Sequence, residues 1–165
     1  MNDTLDAPGL AARIVALLTR RGQSLATAES LTGGLVAAMI TTVPGASAVF
    51  RGGVVAYATD LKAALLGVPA DLLAERGAVD PDVAAAMATG VRARLGATVG
   101  VATTGVAGPD PAEGKPPGTV HIAVCAGGGP LTQTLALVGD RERIRRDTVE
   151  RALRLVWSVL GEESP

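Results

Sequence analysis

The sequence predicts an α/β fold, a three-layer α/β/α sandwich with a mixed sheet between the helices. Two observations indicate this fold. Short apolar segments typical of buried strands alternate with segments that have the apolar spacing of helices, and two late strand-like segments meet at a glycine-rich turn. Aromatic residues make up only 2% of the chain, so Ala, Val, Leu and Gly must fill the interior. With 165 residues, we expect one domain over residues 1–165, with the first eight residues flexible.

The first half of the chain predicts helices separated by two short strands. Residues 10–21 have amphipathic helical spacing, with Pro8 near the start and Gly22 just past the end. The further helices run from 35 to the Pro44-Gly45 stop, over a short segment that Asp60 caps and that carries residues 62–66, and over 69–75. The strands are predicted at 24–28 and 54–57.

The second half predicts a helix, a buried strand, a long loop, a hairpin and a final helix. Asp80 followed by Pro81 is a strong helix start, and that helix is expected to end near Gly96. The other elements are a strand at 99–104, a loop at 105–118, hairpin strands at 119–126 and 131–138 around a turn at 127–130, and a helix that Asp140 caps and that ends at about 160. Loops as long as 105–118 are often functional in a compact domain.

Composition excludes several classes of protein. The net charge of −1 gives no reason to expect nucleic acid or an anionic membrane as partner. The single cysteine, Cys125, cannot form an intramolecular disulfide, and with His121 as the only histidine we expect no metal site and no cofactor. The start lacks the pattern of a signal peptide, and no apolar stretch is long enough to span a bilayer. We therefore expect a cytoplasmic protein, whose apolar, alanine-rich surface favours a homo-oligomer.

The most informative segment is AESLTGG (residues 28–34), a turn rich in hydroxyls and glycines between a predicted strand and a predicted helix. Ser30 is expected at the helix N-terminus, where unpaired N–H groups favour negative charge, and Gly33 and Gly34 let a ligand approach the backbone. The alternative is that Ser30 or Thr32 only caps the helix. The segment by itself leaves both interpretations open.

A second candidate is Lys62, which follows a strand end marked by Tyr57, the only tyrosine of the chain. A lysine beside a serine can act as its general base when burial lowers the lysine pKa, and this chemistry needs no histidine. The alternative is a solvated lysine on a helix. His121 falls within a hairpin strand and is expected to be a sheet residue rather than a base, and Cys125 a small buried one.

Two further segments could bind a ligand. TTGVAGP (residues 103–109) places hydroxyls and N–H groups at a sheet edge, although strand-end turn chemistry explains it as well; it matches neither a dinucleotide fingerprint nor a Walker motif. Four arginines, 141, 143, 145 and 146, crowd the start of the last helix, where cations are disfavoured. They suit an anionic ligand such as phosphate, or else neighbouring acidic residues neutralise them on a solvated face.

Taken together, these segments resemble one known family, the CinA C-terminal domain or nicotinamide-nucleotide amidohydrolase family. The matching segments are AESLTGG (28–34), VPGASAVFRGGVVAY (43–57), Lys62 with the following LLGVP (65–69), TTGVAGP (103–109), KPPGTV (115–120) and GDRERIRRDTVERAL (139–153). The resemblance covers nearly the whole chain after about residue 8, and its specificity comes from several motifs in the same order. In this family the domain is also found fused to a larger N-terminal domain. Since no such domain precedes these motifs in the sequence, we expect this chain to be the stand-alone form.

The resemblance implies hydrolysis of the carboxamide of nicotinamide mononucleotide to nicotinate mononucleotide and ammonia, with no metal. It makes Ser30 the nucleophile and Lys62 its general base, with Tyr57 and Thr104 close to the site. We expect backbone N–H groups from Thr32 to Gly34 to stabilise the oxyanion. The phosphate is expected among the 32–34 turn, the turn from Gly105 to Gly108, and Arg141 or Arg145.

The chain also departs from the pattern of the family. Leu31 replaces the usual cysteine, Ala58-Thr59 replaces a serine-asparagine pair, and His121 stands where an aromatic residue is common. Two other functions remain open: an inactive module that binds a nucleotide or phosphate, and an accessory protein associated with competence. The near-neutral charge of the chain argues against direct DNA binding in the second case.

Overall fold

A five-stranded mixed sheet forms the middle layer of the protein. The structure is a computed structural model that describes residues 5–161. The strands are β1 (Leu25–Glu29), β2 (Phe50–Val55), β3 (Val99–Gly105), β4 (Thr119–Ala126) and β5 (Gly129–Ala136), in the spatial order β2-β1-β3-β4-β5. Strand β1 is parallel to both β2 and β3, whereas β3, β4 and β5 pair antiparallel. The predicted mixed sheet and hairpin are confirmed.

Helices cover both faces of this sheet. They are α1 (Ala7–Arg21), α2 (Leu35–Thr41), α3 (Thr59–Leu66), α4 (Ala70–Arg76), α5 (Pro81–Arg94) and α6 (Arg141–Gly161). One apolar core lies between the sheet and α1, α2 and α6, and a second lies between the opposite face and α3, α4 and α5. This arrangement confirms the three-layer α/β/α sandwich. Within residues 5–161, no helix is long and apolar enough to cross a membrane.

The position predicted for the second strand is wrong, because β2 begins four residues earlier, at Phe50. Glycines weaken a strand pattern in sequence, so Gly52 and Gly53 argued against this start. The structure shows why one of them is required: a Cβ atom on Gly53 would lie 2.2 Å from Thr27 Oγ1 on the neighbouring strand. A close approach between strands, which no local pattern reports, therefore explains the glycine.

The start of the first helix and the length of the hairpin turn also differ from the predictions. Helix α1 begins at Ala7, three residues before the predicted start; residues 1–4 lie outside the described residues, and the flexibility expected of the first eight residues stays a prediction. The hairpin loop contains only residues 127 and 128, because β5 begins at Gly129 and Pro130 pairs with Cys125. Proline is tolerated there because β5 is an edge strand, where the missing N–H need not serve a neighbour.

Two of the three predicted helix caps are confirmed. Asp80 Oδ1 accepts a hydrogen bond from Asp82 N at 2.8 Å, and Asp140 Oδ1 accepts one from Arg143 N, also at 2.8 Å. The third is wrong, since α3 begins at Thr59 and Asp60 lies inside its first turn. A carboxylate there still interacts favourably with the helix dipole.

Helix α3 is seated against α5 at Gly90, which lies in the middle of α5. A Cβ atom on Gly90 would lie 1.8 Å from Leu66 O, at the end of α3. Glycine in a helix normally costs about 0.5–1 kcal/mol relative to alanine, so local propensity favours replacement. The contact opposes it, because an added methyl group would push α3 away from α5.

We expect Gly90→Ala to lower the free energy of unfolding by about 1–3 kcal/mol, the usual cost of overpacking. Urea unfolding followed by circular dichroism measures the change. Gly161→Ala is the matched control, since a Cβ atom at that helical position meets nothing within 4 Å. A Gly90→Ala protein as stable as the Gly161→Ala protein would contradict the close contact.

Candidate active site

The C-terminal ends of two adjacent parallel strands form the floor of a polar cavity. Ser30 directly follows β1, and its N–H donates to Thr103 O on β3 at 3.0 Å. The cavity has a volume of about 240 Å³. Ser30 contributes to its wall together with Tyr57, Lys62, Thr104, Gly105, Gly108 and Arg141. The topology thus brings together most of the residues that the sequence predicted for one site.

Lys62 is the most informative side chain of this cavity. Its relative exposure is 0%, although it lies on α3, and its Nζ donates to Ser30 Oγ at 3.1 Å. Two backbone carbonyls also accept from Nζ, Ala56 O at 2.8 Å and Tyr57 O at 3.3 Å. Burial lowers the pKa of Lys62 because it disfavours the ammonium form, and the carboxylate of Glu113 opposes this effect. The interpretation of Lys62 as a solvated lysine is therefore wrong.

The partners of Nζ determine which proton can move. A carbonyl oxygen only accepts hydrogen bonds, so the contacts to Ala56 and Tyr57 require N–H groups in either protonation state. A neutral amine has two N–H groups, which these carbonyls use, and its lone pair then faces Ser30 Oγ. The hydrogen bond to Ser30 is thus the one whose direction can reverse. This geometry suits proton transfer from the Ser30 hydroxyl to the lysine.

The prediction that Ser30 lies at a helix N-terminus is wrong, and so is the interpretation of Ser30 or Thr32 as its cap. Helix α2 begins at Leu35, with Gly34 before it in a left-handed conformation (φ 104°). Glu29 caps the helix instead, because its carboxylate accepts from Val36 N at 2.8 Å and Ala37 N at 3.1 Å. Sequence reasoning missed this residue, although a charged side chain in an apolar strand was a signal.

The hydroxyl of Thr32 also serves Glu29. It donates to Glu29 Oε1 at 2.6 Å and lies 2.8 Å from Thr103 Oγ1, within the buried layer on the α2 side of the sheet. Gly33 N donates to Ser30 O at 3.0 Å, so its N–H is part of the turn and not an oxyanion donor. That part of the predicted oxyanion site is corrected, whereas the backbone of Thr32 and Gly34 stays a prediction.

The four arginines at the start of α6 separate into two pairs. Arg143 pairs with Asp147 and Arg146 with Glu142, at 3.1 and 2.9 Å, on the exposed face. Their predicted alternative, a solvated and neutralised face, is therefore confirmed for these two. Arg141 and Arg145 turn toward the strand ends instead.

Arg145 and Arg141 hold different parts of the site. Arg145 donates to Leu31 O at 3.0 Å and Thr32 O at 3.4 Å, and it secures the turn after Ser30 from behind. Arg141 lies in the cavity wall and donates to Gly108 O at 2.7 Å and to the Tyr57 hydroxyl at 3.0 Å. The described lining of the cavity includes Arg141 but not Arg145, nor residues 32–34.

Tyr57 and Thr104 both line the cavity, in different environments. Tyr57 is 59% exposed and its ring lies at the rim. Thr104 is buried, and its hydroxyl donates to Ala78 O at 2.7 Å, which ties the segment before α5 to strand β3. Thr104 faces His121 in the β3–β4 pairing.

His121 is the sheet residue that the sequence indicates. Its Nδ1 lies 2.9 Å from Thr134 Oγ1 on β5, and burial lowers its pKa. Cys125 is likewise buried in β4. Neither residue lines the cavity that contains Ser30 and Lys62.

Comparison with known proteins supports the resemblance found in the motifs. The CinA C-terminal domain model matches residues 8–160. The chain is 57% identical over 148 residues to a CinA-like protein of Frankia casuarinae, and 47% identical over 152 residues to a putative competence-damage inducible protein of Halalkalibacterium halodurans. These matches cover 90% and 92% of this chain but 34% and 36% of the two relatives. The chain therefore spans about a third of the length of the curated relatives it matches.

Solved structures are similar over nearly their whole length. The competence/damage inducible protein CihA from Agrobacterium tumefaciens has a TM-score of 0.90 and 39% identity, and the match covers 95% of this chain and 96% of that one. The competence damage-inducible protein A (ComA) from Klebsiella pneumoniae has a TM-score of 0.93 and 33% identity, with 97% and 100% covered. On the motifs, the fold and these matches, the chain belongs to the CinA C-terminal domain family.

Proposed function

We propose that the protein hydrolyses the carboxamide of nicotinamide mononucleotide, with Ser30 as nucleophile and Lys62 as general base. The observation that carries this proposal is the fully buried Lys62 amine, 3.1 Å from Ser30 Oγ and otherwise bonded only to carbonyls among its described contacts. A lysine in this state is poised to accept a proton rather than to bind an anion. The choice of substrate rests on the resemblance to the amidohydrolase family.

In the proposed first step, Ser30 Oγ attacks the carbonyl carbon of the amide while its proton moves to Lys62 Nζ. The C–O bond forms as the carbonyl π bond opens, which gives a tetrahedral oxyanion and a lysine ammonium. Backbone N–H groups in the wall of the cavity would stabilise the oxyanion. The ammonium then donates its proton to the amide nitrogen, the C–N bond breaks, and ammonia leaves an ester on Ser30.

In the second step, water replaces ammonia. Lys62, neutral again, takes a proton from the water as its oxygen attacks the ester carbonyl. Collapse of this second tetrahedral species breaks the bond to Ser30 Oγ, which recovers its proton from Lys62. The product is the carboxylic acid, which loses its proton to solvent and leaves as nicotinate mononucleotide. One base therefore serves both halves of the reaction, as the single amine beside Ser30 requires.

Arg141 is the residue that we assign to the phosphate of the substrate. A guanidinium has five N–H donors, and the two Nη atoms that bond Gly108 O and the Tyr57 hydroxyl each carry a further hydrogen. The backbone from Gly105 to Gly108, which lines the same cavity, supplies adjacent polar groups. Arg145 is left out of this assignment, because its contacts are with the turn.

We expect Ser30→Ala and Lys62→Met each to lower kcat/KM for nicotinamide mononucleotide by about 10³-fold or more, since each removes one partner of a single proton transfer. The double variant should be no worse than the single ones, because residues that act as a unit are not additive. Ammonia release, with mass spectrometry of nicotinate mononucleotide, measures the loss.

Ser47→Ala is the matched control for the serine, since Ser47 is exposed and lies at the opposite end of strand β2 from the cavity. It should retain full activity. Turnover that survives in Ser30→Ala or in Lys62→Met would refute the mechanism. Saturable binding of the nucleotide by the wild type without any product would instead favour a binding module.

The pH dependence follows from the lowered pKa of Lys62. The amine must be neutral to accept the Ser30 proton, so kcat/KM should rise with pH through the pKa of Lys62 and then level off. Because burial lowers that pKa, the midpoint should lie below the value of a free lysine, about 10.4. A profile over about pH 6 to 11 tests this expectation. A midpoint at or above the free-lysine value would contradict it.

Lys62→Arg separates charge from basicity in the same experiment. A guanidinium stays protonated throughout the accessible pH range. We therefore expect this variant to remain inactive at every pH, so that its pH profile lacks the rising limb at the acid side. Activity in Lys62→Arg that rose with pH like the wild type would assign the limb to another group.

A further inference from the structure

Glu113 occupies a backbone position that does not suit its side chain. Ala112 and Lys115 bond each other in both directions, at 3.1 and 2.9 Å, and the two residues between them have positive φ, 53° at Glu113 and 70° at Gly114. This is the pattern of a type I′ turn, whose first central position prefers Asn, Asp or Gly. The left-handed conformation is disfavoured for a residue that carries a Cβ atom. Local turn chemistry therefore does not account for a glutamate here.

The hydrogen bonds of the Glu113 carboxylate explain why a glutamate occupies this position. Oε1 accepts from Ala78 N and Oε2 from Val79 N, both at 2.9 Å, so one side chain binds two consecutive amides before α5. Lys115 Nζ lies 3.8 Å from Oε2 and donates to Val79 O. A Cβ atom on Gly77 would lie 2.5 Å from Oε2, so the glycine leaves room for the carboxylate. The tip of the 106–118 loop is thus bound to residues 77–80.

Both bound segments belong to the wall of the cavity that contains Ser30 and Lys62. Ala78 and Val79 line it from one segment, and Ala112 and Glu113 from the other. The same wall is anchored to the sheet where Thr104 donates to Ala78 O. The Glu113 carboxylate therefore holds a wall of the cavity to which Lys62 also contributes.

Other charged groups lie in the wall of the cavity and on the helices around Lys62. Asp110 and Arg141 line the cavity, and Asp60 lies on α3 itself. The charged residues of the helices packed against α3 are Asp71, Glu75 and Arg76 on α4 and Asp82, Arg92 and Arg94 on α5. The carboxylate of Glu113 raises the pKa of Lys62 against the effect of burial.

We propose that Glu113 is a positioning residue of the Ser30–Lys62 pair, which fixes the 77–80 wall and places a negative charge toward the lysine amine. This inference rests on the proposed function. When the Ser30 proton moves to Nζ, an ammonium forms at a fully buried side chain, and the carboxylate of Glu113 stabilises that charge. The proton stays on Nζ until the leaving amide nitrogen takes it, so Glu113 itself exchanges no proton.

Two variants separate the charge of Glu113 from its hydrogen bonds to the wall of the cavity. Glu113→Gln removes the charge and keeps the length of the side chain, whereas Lys115→Met loosens the same wall and leaves the carboxylate in place. We expect Glu113→Gln to lower kcat about 10-fold, with a smaller change in KM, and to move the acid limb of kcat/KM to lower pH by roughly half a unit or more. Lys115→Met should not move the limb to lower pH.

Glu113→Asp and Glu150→Gln complete the set. Aspartate keeps the charge but reaches the two amides less well, so kcat should fall without a shift of the limb to lower pH. Glu150, which pairs with Arg154 on α6, controls for loss of one charge elsewhere and should leave the profile unchanged. An identical loss of kcat in Glu113→Gln and Lys115→Met, with the limb unmoved in both, would overturn the proposal.

A titration without substrate keeps this inference distinct from the proposed function. The chain contains Lys62 and Lys115 as its lysines, so carbon-13 labelling of the lysine side chains gives two Cε signals that Lys115→Met assigns. We expect the Lys62 signal to titrate at lower pH in Glu113→Gln than in the wild type. An unchanged Lys62 titration would refute the role of Glu113 even if the wild type hydrolyses the nucleotide. A shifted titration in a protein without turnover would instead refute only the proposed function.

Discussion

Exclusion of the Lys62 amine from water is the constraint on which the site depends. A buried ammonium is costly, and two carbonyls and the Ser30 hydroxyl satisfy its N–H groups. These acceptors come from the chain after β2 and from the turn after β1, so the lysine ties α3 to the ends of two neighbouring strands. Burial lowers the pKa of the amine and so favours its neutral form, which is the form that a general base needs.

Side chains from β1 and from α6 hold the turn that carries Ser30. Glu29 caps α2 through two amides and accepts from the Thr32 hydroxyl, while Arg145 binds the carbonyls of Leu31 and Thr32 from α6. The carboxylate thus binds the first amides of α2 and the guanidinium binds the carbonyls of the turn that precedes it. Preorganisation of this kind positions a nucleophile without using the side chains that would touch a substrate.

Several parts of this arrangement could be predicted from the sequence. Apolar periodicity and turn residues determine the element types, the hairpin and the caps at Asp80 and Asp140, because those signals are local. Ser30, Lys62, Tyr57, Thr104 and Arg141 line one cavity, as the motifs led us to expect. The start of β2 could not be predicted, because Gly53 serves the packing of Thr27 and not the strand itself.

The sequence by itself determined the fold class, the family and the candidates for chemistry, since periodicity and motif order are properties of the chain alone. Only the tertiary structure decided which of these candidates share a site. It divided four adjacent arginines between a solvated face, the Ser30 turn and the cavity wall, and it assigned the cap of α2 to Glu29 rather than to Ser30 or Thr32. The physical reason is that the contacts that decide these roles join segments distant in sequence, and no local pattern encodes them. They pair Lys62 with Ser30, Arg145 with Leu31 and Glu113 with Ala78.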